Sequence, residues 1–204
     1  MNSMTWKKLS PEDYVVSRWS GGTTTQVAIA PEGAVYADRY FLWRVSSASV
    51  ELEESEFTPL PDYWRWISTL EGEMRLSHNG ALPVLLAPYE VHQFDGGAAT
   101  RSWGRCTDYN LMLRKGEARG LLRPVCLAAG DSTEIAFESA ESSAFPQATL
   151  LLFCGAGTAA VTIAGEEVRL EERTSLLVRD AFPCHLQALA LEDAALLIAE
   201  MQTR

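Results

Sequence analysis

The stretch Leu70–Gly80, LEGEMRLSHNG, with its continuation Pro83–Phe94, PVLLAPYEVHQF, decides how this chain is read, because a second stretch repeats its layout. The second copy runs CGAGTAAVTIAG from Cys154 to Gly165 and continues EEVRLEERTSLLVRDAFPCHLQA from Glu166 to Ala188. In each copy a glycine precedes an alternating strand and another follows eight positions later, Gly72 to Gly80 and Gly157 to Gly165. A proline-containing turn and then a histidine close each copy, Pro88…His92 and Pro183…His185. A repeated hairpin–turn–strand unit predicts two homologous β modules in one chain.

The remaining sequence agrees with that prediction. Thr24–Ala30, Phe41–Val50, Cys106–Leu113, Ala148–Phe153, Thr174–Val178 and Cys184–Leu191 are short segments rich in Val, Ile, Leu, Thr and aromatics. Several alternate with the strand period of two. Leu189–Glu200 is the most helix-like stretch, though its end, Ala194–Ala199, reads equally as a buried strand. A Gly–strand–Gly–strand–Pro–x–His layout is that of the cupin hairpin in a jelly roll. The expected fold is therefore all-β, a bicupin of two jelly-roll or cupin-like β-sandwich modules. Residues 1–117 would form an N-terminal module carrying the ligand pocket, and 118–204 a C-terminal module.

Of the 204 residues, 47% are hydrophobic and 22% charged, enough apolar surface for a core of this size. Asp and Glu number 27 against 17 Lys and Arg, a net charge of −10. Such a surface repels phosphate backbones. Arg114, Lys115, Arg119 and Arg123, interrupted by Glu117, read as a solvated loop rather than a nucleic-acid patch. No stretch approaches the roughly 18 apolar residues that span a bilayer, and Met1–Tyr14 has no apolar segment after Lys7 and Lys8. Cys106, Cys126, Cys154 and Cys184 form no CxxC pair, so free thiols in a reducing compartment are expected. These features predict a cytoplasmic protein with neither nucleic-acid nor membrane partners.

Metal and nucleophile chemistry find little support. The three histidines, His78, His92 and His185, include no HxH pair. A set of imidazole ligands is hard to assemble from those positions, and no metal is expected. His78, beside the turn dipeptide Asn79-Gly80, should be exposed. His92 reads as a hydrogen-bonded strand histidine. Cys184 and His185 are adjacent on a strand, so they point to opposite faces and make no nucleophile–base pair. There is no GxSxG elbow and no GKS or GKT, and Gly21-Gly22 lacks the spaced third glycine of a dinucleotide loop. No cofactor and no catalytic residue are assigned.

Polar residues embedded in strand-like segments are more informative. They occur in Arg18–Gln26 (RWSGGTTTQ), Phe41–Ala48 (FLWRVSSA), Phe57–Arg65 (FTPLPDYWR) and Gly104–Arg114 (GRCTDYNLMLR). By the two-residue period Arg44, Ser46 and Ala48 share one face, and so do Asp108, Asn110 and Met112. Tyr109, Leu111 and Leu113 take the opposite face. In this order the blocks resemble the HutD/Ves family of small bacterial two-cupin proteins, over about Arg18–Lys115. Arg44, Arg65, Asp108 and Asn110 match the family pattern. Ser20, Thr23, Gln26, Thr58 and Asp62 stand where the pattern has Asn, Gly, Glu, Ser and Gly. The resemblance implies a metal-free bicupin associated with histidine utilisation, one that tunes or restrains the pathway rather than catalysing one of its steps.

The physical chemistry of those residues is compatible with that role. Two arginines with a serine and an amide bind a carboxylate, in bidentate fashion and with selectivity from the remaining donors. Arg44, Ser46, Arg65, Asp108 and Asn110 are therefore the candidate ligand-binding residues. The expected ligand is a small anionic metabolite resembling urocanate or N-formylglutamate. Two purely structural alternatives stay open: a buried Arg44–Asp108 ion pair that fixes strand register, and an Arg65 bridge to Glu51, Glu53, Glu54 or Glu56. Trp19, Trp43 and Phe57 read as core and pocket wall. The competing functions are a metal-independent isomerase, lyase or hydrolase using His92 or Asp108 as acid or base, and a scaffold with a vestigial cavity. Open sheet edges make a homodimer the default assembly.

Overall fold

The computed structural model describes residues 4–138, 144–181 and 183–204. Its strands are β1 (Thr5–Leu9), β2 (Val15–Trp19), β3 (Gly22–Ala30), β4 (Trp43–Val50), β5 (Glu54–Glu56), β6 (Tyr63–Glu71) and β7 (Met74–His78). They continue with β8 (Val84–Leu86), β9 (His92–Asp95), β10 (Thr100–Trp103), β11 (Cys106–Arg114), β12 (Ala118–Leu127) and β13 (Ser132–Phe137). The last are β14 (Gln147–Ala156), β15 (Thr158–Ile163), β16 (Glu166–Glu171), β17 (Ser175–Arg179), β18 (Cys184–Ala190) and β19 (Ala194–Thr203). Helix among the described residues is limited to two single 3-10 turns, Pro11–Asp13 and Tyr36–Asp38, and none is long and apolar enough to cross a membrane. The fold is all-β, as the periodicity predicts.

Contacts group the residues into two compact units, one of 14–118 and one combining 4–13 with 119–204. The first contains a six-stranded sheet, β2-β3-β4-β11-β6-β9, and a four-stranded sheet, β5-β10-β7-β8. The second contains a five-stranded sheet, β1-β17-β14-β19-β12, and a four-stranded one, β13-β18-β15-β16. The expected division into 1–117 and 118–204 therefore needs one correction: β1 belongs with the second unit. It pairs along its whole length with β17, from Thr5 opposite Arg179 to Leu9 opposite Ser175. Nothing local in TWKKL names a partner so distant in sequence.

The two repeats fold alike. All four repeat glycines, Gly72, Gly80, Gly157 and Gly165, have positive φ. At Asn79-Gly80 (φ 53° and 75°) and Ala164-Gly165 (φ 50° and 82°) both central residues are left-handed, the type I′ geometry whose twist suits a tight hairpin. The hairpins β7–β8 and β15–β16 follow, the latter closing directly at Ile163 opposite Glu166. The helix-like stretch Leu189–Glu200 divides between β18 and β19. In β19 nine of ten residues are buried, so its apolar run reflects a strand covered on both faces. The basic run is not a solvated loop: Arg114 ends β11 and Arg119 and Arg123 lie in β12. Lys115 pairs with Asp95 at 2.7 Å and Arg123 with Glu200 at 2.9 Å. Cys106, Cys154 and Cys184 are buried, Cys126 is exposed, and all are free thiols.

Candidate functional site

The six-stranded sheet assembles the candidate residues by register. Antiparallel pairing places Gln26, Ser46, Asn110, Ile67 and His92 side by side in one row. Two residues along, Arg44, Met112, Arg65 and Phe94 form a second row. On the other flank Thr24, Ala48, Asp108 and Thr69 form a third. Side chains two apart on a strand share a face, so the three rows present one face on which Arg44, Ser46, Arg65, Asp108 and Asn110 lie among apolar residues such as Ile67, Met112 and Phe94. Register shifts fall next to two of its members, between Gln26 and Ala28 on β3 and between Thr107 and Asp108 on β11. Bulges of this kind re-aim a side chain beside a site.

This surface forms the wall of a cavity of about 310 Å³, lined by all five candidates together with Trp19, Tyr36, Phe57, Glu56 and Met112, among others. Trp43 is buried in the core instead. The Arg44 Nε–H donates to Gln26 Oε1 at 2.8 Å, and its Nη1 to Ser46 Oγ at 3.1 Å. Its guanidinium lies 4.2 Å from the centroid of the Tyr36 ring. Arg65 Nη2 donates to Asn110 Oδ1 at 2.8 Å, and Asn110 Nδ2 donates in turn to Asp108 Oδ1 at 2.9 Å. Phe57 and Phe94 hold the Arg65 guanidinium at 4.8 Å and 5.1 Å from their centroids. The buried Arg65 Nε–H has no partner among the described residues.

Both structural alternatives for the arginines are thereby replaced. Among the described residues neither Arg44 nor Arg65 forms an ion pair. Arg44 is held by Gln26 and Ser46 rather than by Asp108, whose carboxylate accepts from the Asn110 side chain and the Ala48 backbone instead. Three of the four acidic residues expected to bridge Arg65 have other partners: Glu54 and Glu56 pair with Arg101, and Glu53 with Arg105. Burial lowers the pKa of Arg44, and lowers that of Arg65 to about 10, against a smaller opposing pull from Asp108. Burial likewise pushes the Asp108 carboxyl up to about 6, outweighing its hydrogen bond from Asn110 and the two arginines. The result is a largely desolvated, electropositive pocket wall.

The expectation of an exposed His78 fails. Its ring is half-buried, with Nδ1 2.9 Å from Thr100 Oγ1 and Nε2 3.0 Å from His92 Nε2. The two imidazoles are inclined by 14° with centroids 5.1 Å apart, so with their nitrogens in hydrogen-bond range they meet edge to edge rather than face to face. Such a bond requires a lone pair on one nitrogen, and burial lowers the pKa of both rings. Phe94 stacks on His78 at 4.6 Å, and neither imidazole lines the cavity. Parity alone could not reveal this pair, because β7 and β9 belong to different sheets. Gln26 was also missed as an arginine partner, since the bulge beside it shifts the strand alternation.

The family model HutD matches residues 11–197. None of the curated proteins matches the chain. Among solved structures, the chain is similar to PA5104, a conserved protein of unknown function from Pseudomonas aeruginosa PAO1, at TM-score 0.81 and 25% identity over 98% of this chain and 100% of that one. HutD from Pseudomonas fluorescens SBW25, in a formate condition, aligns at TM-score 0.73 and 23% identity, again over 98% and 100%. The pirin YhhW from Escherichia coli, in complex with nickel(II), shares the fold at TM-score 0.68 and 11% identity over 98% and 100%. The donors in the present cavity do not fit such an ion. They are two guanidiniums, an amide, several hydroxyls and two carboxylates, Asp108 and Glu56, the latter paired with Arg101, and among the described residues no three His, Cys, Asp or Glu side chains converge. The repeated hairpins, the polar strand faces and the matched family model lead to one assignment: the chain belongs to the HutD family.

Proposed function

We propose that the chain is a cytoplasmic, non-enzymatic binder of a small carboxylate metabolite, and that occupancy of its cavity restrains histidine utilisation. One observation carries this reading: two buried guanidiniums face one cavity and, among the described residues, no carboxylate pairs with either and one retains an unpartnered buried N–H. A buried charge is costly unless it is paired and hydrogen-bonded. An anionic ligand supplies the missing acceptors, and the planar guanidinium suits a carboxylate. The volume of about 310 Å³ holds roughly ten waters at ~30 Å³ each. That suits a molecule the size of urocanate or N-formylglutamate, and both are anions.

A second reading has one observation in its favour. Asp108 titrates near 6 inside the cavity, within the range useful to a general acid or base. His92, the other candidate for that role, lies outside the cavity. Under this alternative the protein would be a metal-independent cupin enzyme acting on a small carboxylate, and incubation with the bound metabolite would yield product.

Calorimetry with urocanate, N-formylglutamate and unrelated acids tests the binding reading. Losing a charge-assisted hydrogen bond costs about 1.5–3 kcal/mol, so Arg44→Ala is expected to weaken binding at least about tenfold. Asn110→Ala should weaken it less, and His92→Ala hardly at all. A folded Arg44→Ala variant that binds as well as the parent would show the pocket to be misassigned. Loss of folding in that variant would instead make Arg44 structural.

A further inference from the structure

The cavity also carries a negative charge of its own, set in an unusual way. Asp108 is 4% exposed and accepts one hydrogen bond from the Asn110 side chain and another from the Ala48 backbone. Two arginines share its cavity, yet neither reaches it. Asn110 stands between Asp108 and Arg65 as a neutral spacer, accepting from the cation and donating to the carboxylate. Arg44 is turned toward Gln26 and Ser46. The titratable and charged groups around Asp108 are Arg44 from β4 and Arg65 from β6, whose charges act on it directly, Cys106 on its own strand, and Tyr36 and Glu56, which line the same cavity. Its neighbours in register, Ala48 and Thr69, are neutral.

A carboxylate ligand seated against Arg44 and Arg65 places a second negative charge in this cavity. Like charges confined together do not both stay ionised, and the proton goes to the more weakly acidic group. Burial already raises the Asp108 carboxyl to about 6 without a ligand, so it takes the proton before a ligand carboxylate in contact with two guanidiniums does. Once protonated, it changes from an acceptor only into a group that can also donate.

We propose that Asp108 couples anion binding to proton uptake: the cavity admits a small carboxylate together with one proton from solvent, which resides on the Asp108 carboxyl. This rests on the anion-binding reading and adds a direction to it, since affinity then rises as pH falls. The ligand enters ionised, Asp108 becomes neutral, and no bond other than its O–H is made or broken. Under near-neutral conditions the empty site is ionised and the filled site protonated. Occupancy therefore reports both the metabolite and the acidity of its surroundings.

The probes are N-formylglutamate and acetate, whose carboxylates do not titrate between pH 6 and 8. Calorimetry of the full chain at pH 7, in phosphate and in Tris, should give uptake of between about half and one proton per anion. Between pH 7 and 8 the affinity should fall by about twofold at half-proton uptake and by close to tenfold at full uptake, the limit for one linked proton being about tenfold per pH unit. Asp108→Asn should abolish both the uptake and the slope, whereas His78→Gln should leave them unchanged. Binding without proton uptake, at pH-independent affinity, would overturn the proposal and leave the anion site standing. Uptake that persists in Asp108→Asn and disappears in His78→Gln would overturn it equally. No binding of either probe at millimolar concentration would remove the anion-binding reading along with it. Should Asp108→Asn fail to fold, the buffer-pair measurement on the parent, with carboxyl carbon shifts followed as N-formylglutamate is added, decides the same question.

Discussion

The two units share a glycine-bounded hairpin and differ in what they enclose. In the first, β4, β6 and β11 turn Arg44, Ser46, Arg65, Asp108 and Asn110 toward a cavity. In the second, β14, β15, β17 and β19 contribute Leu150, Leu152, Val161, Ile163, Leu176, Val178, Leu196 and Ile198 to a continuous apolar cluster. Turn geometry and strand alternation thus suffice to build the module, and the second unit does so with an apolar core. The polar lining of the first is an added feature that opposes stability, visible in the lowered arginine and raised aspartate pKa values. Departures of this kind from local consistency concentrate at functional sites.

Exchanging the linings gives the largest expected effect. Leu152 is fully buried in the apolar cluster. Leu152→Arg places a charge there without a partner, a change expected to cost more than about 4 kcal/mol. Circular dichroism and thermal melting should find the variant unfolded or insoluble. The reverse change, Arg44→Leu, removes a buried charge from a site that already tolerates mixed polarity, and its melting point should stay within a few degrees of the parent. A Leu152→Arg protein that melts like the parent would erase the distinction between the two interiors.

Titration sharpens the comparison with a smaller effect. The folded-state pKa of Asp108, about 6, lies above its ordinary 3.8. A carboxyl shifted upward contributes stability that is fully present below the unfolded pKa and is lost as pH rises through the folded one. The loss, over roughly pH 4 to 7, is on the order of 3 kcal/mol at about 1.4 kcal/mol per unit. Denaturant unfolding of Asp108→Asn should show the variant gaining on the parent by that order between those limits. The histidine pair acts in the opposite sense. With both rings lowered below 6.5, their contribution is present above that pH and lost as pH falls through the folded values. Variants of His78 should therefore alter the acid side of the profile. A constant difference between parent and Asp108→Asn across pH would mean that Asp108 is not desolvated.

Particular residues show how far the sequence carries this picture. Period-two parity was enough to place Arg44 with Ser46 and Asp108 with Asn110, and the structure brings both pairs to one cavity. Parity gives a face but not a lateral neighbour, so it left open which group would hold which arginine. Gln26 escaped notice because a bulge next to it breaks the alternation. The His78–His92 contact joins strands of different sheets, and β1 joins a partner about 170 positions away, separations that no local pattern encodes. The ambiguous Leu189–Glu200 stretch was settled by burial of β19, which periodicity alone does not distinguish from a buried helix.

The smallest expected effect tests whether the hairpins are equivalent as well as similar. A Cβ added at Gly80 or at Gly165 would meet nothing within 4 Å, so only the left-handed backbone, φ 75° and 82°, opposes a side chain there. Gly80→Ala and Gly165→Ala should each lose about 1–2 kcal/mol, the usual cost of a left-handed L-residue. The first central position differs: Asn79 occupies it in one hairpin at φ 53° and Ala164 in the other at φ 50°. Asparagine visits this region more readily than alanine, because its short polar side chain bonds locally. Ala164→Asn should therefore stabilise the protein by roughly 0.5 kcal/mol, in line with other compatible turn substitutions. Asn79→Ala should lose a similar amount plus the hydrogen bond that Asn79 Oδ1 accepts from the Ala99 N–H at 3.0 Å. Chemical denaturation of both variants beside the parent measures the pair. Opposite signs would establish one shared turn requirement in the two hairpins, whereas destabilisation by Ala164→Asn would show that the second accommodates alanine by contacts of its own.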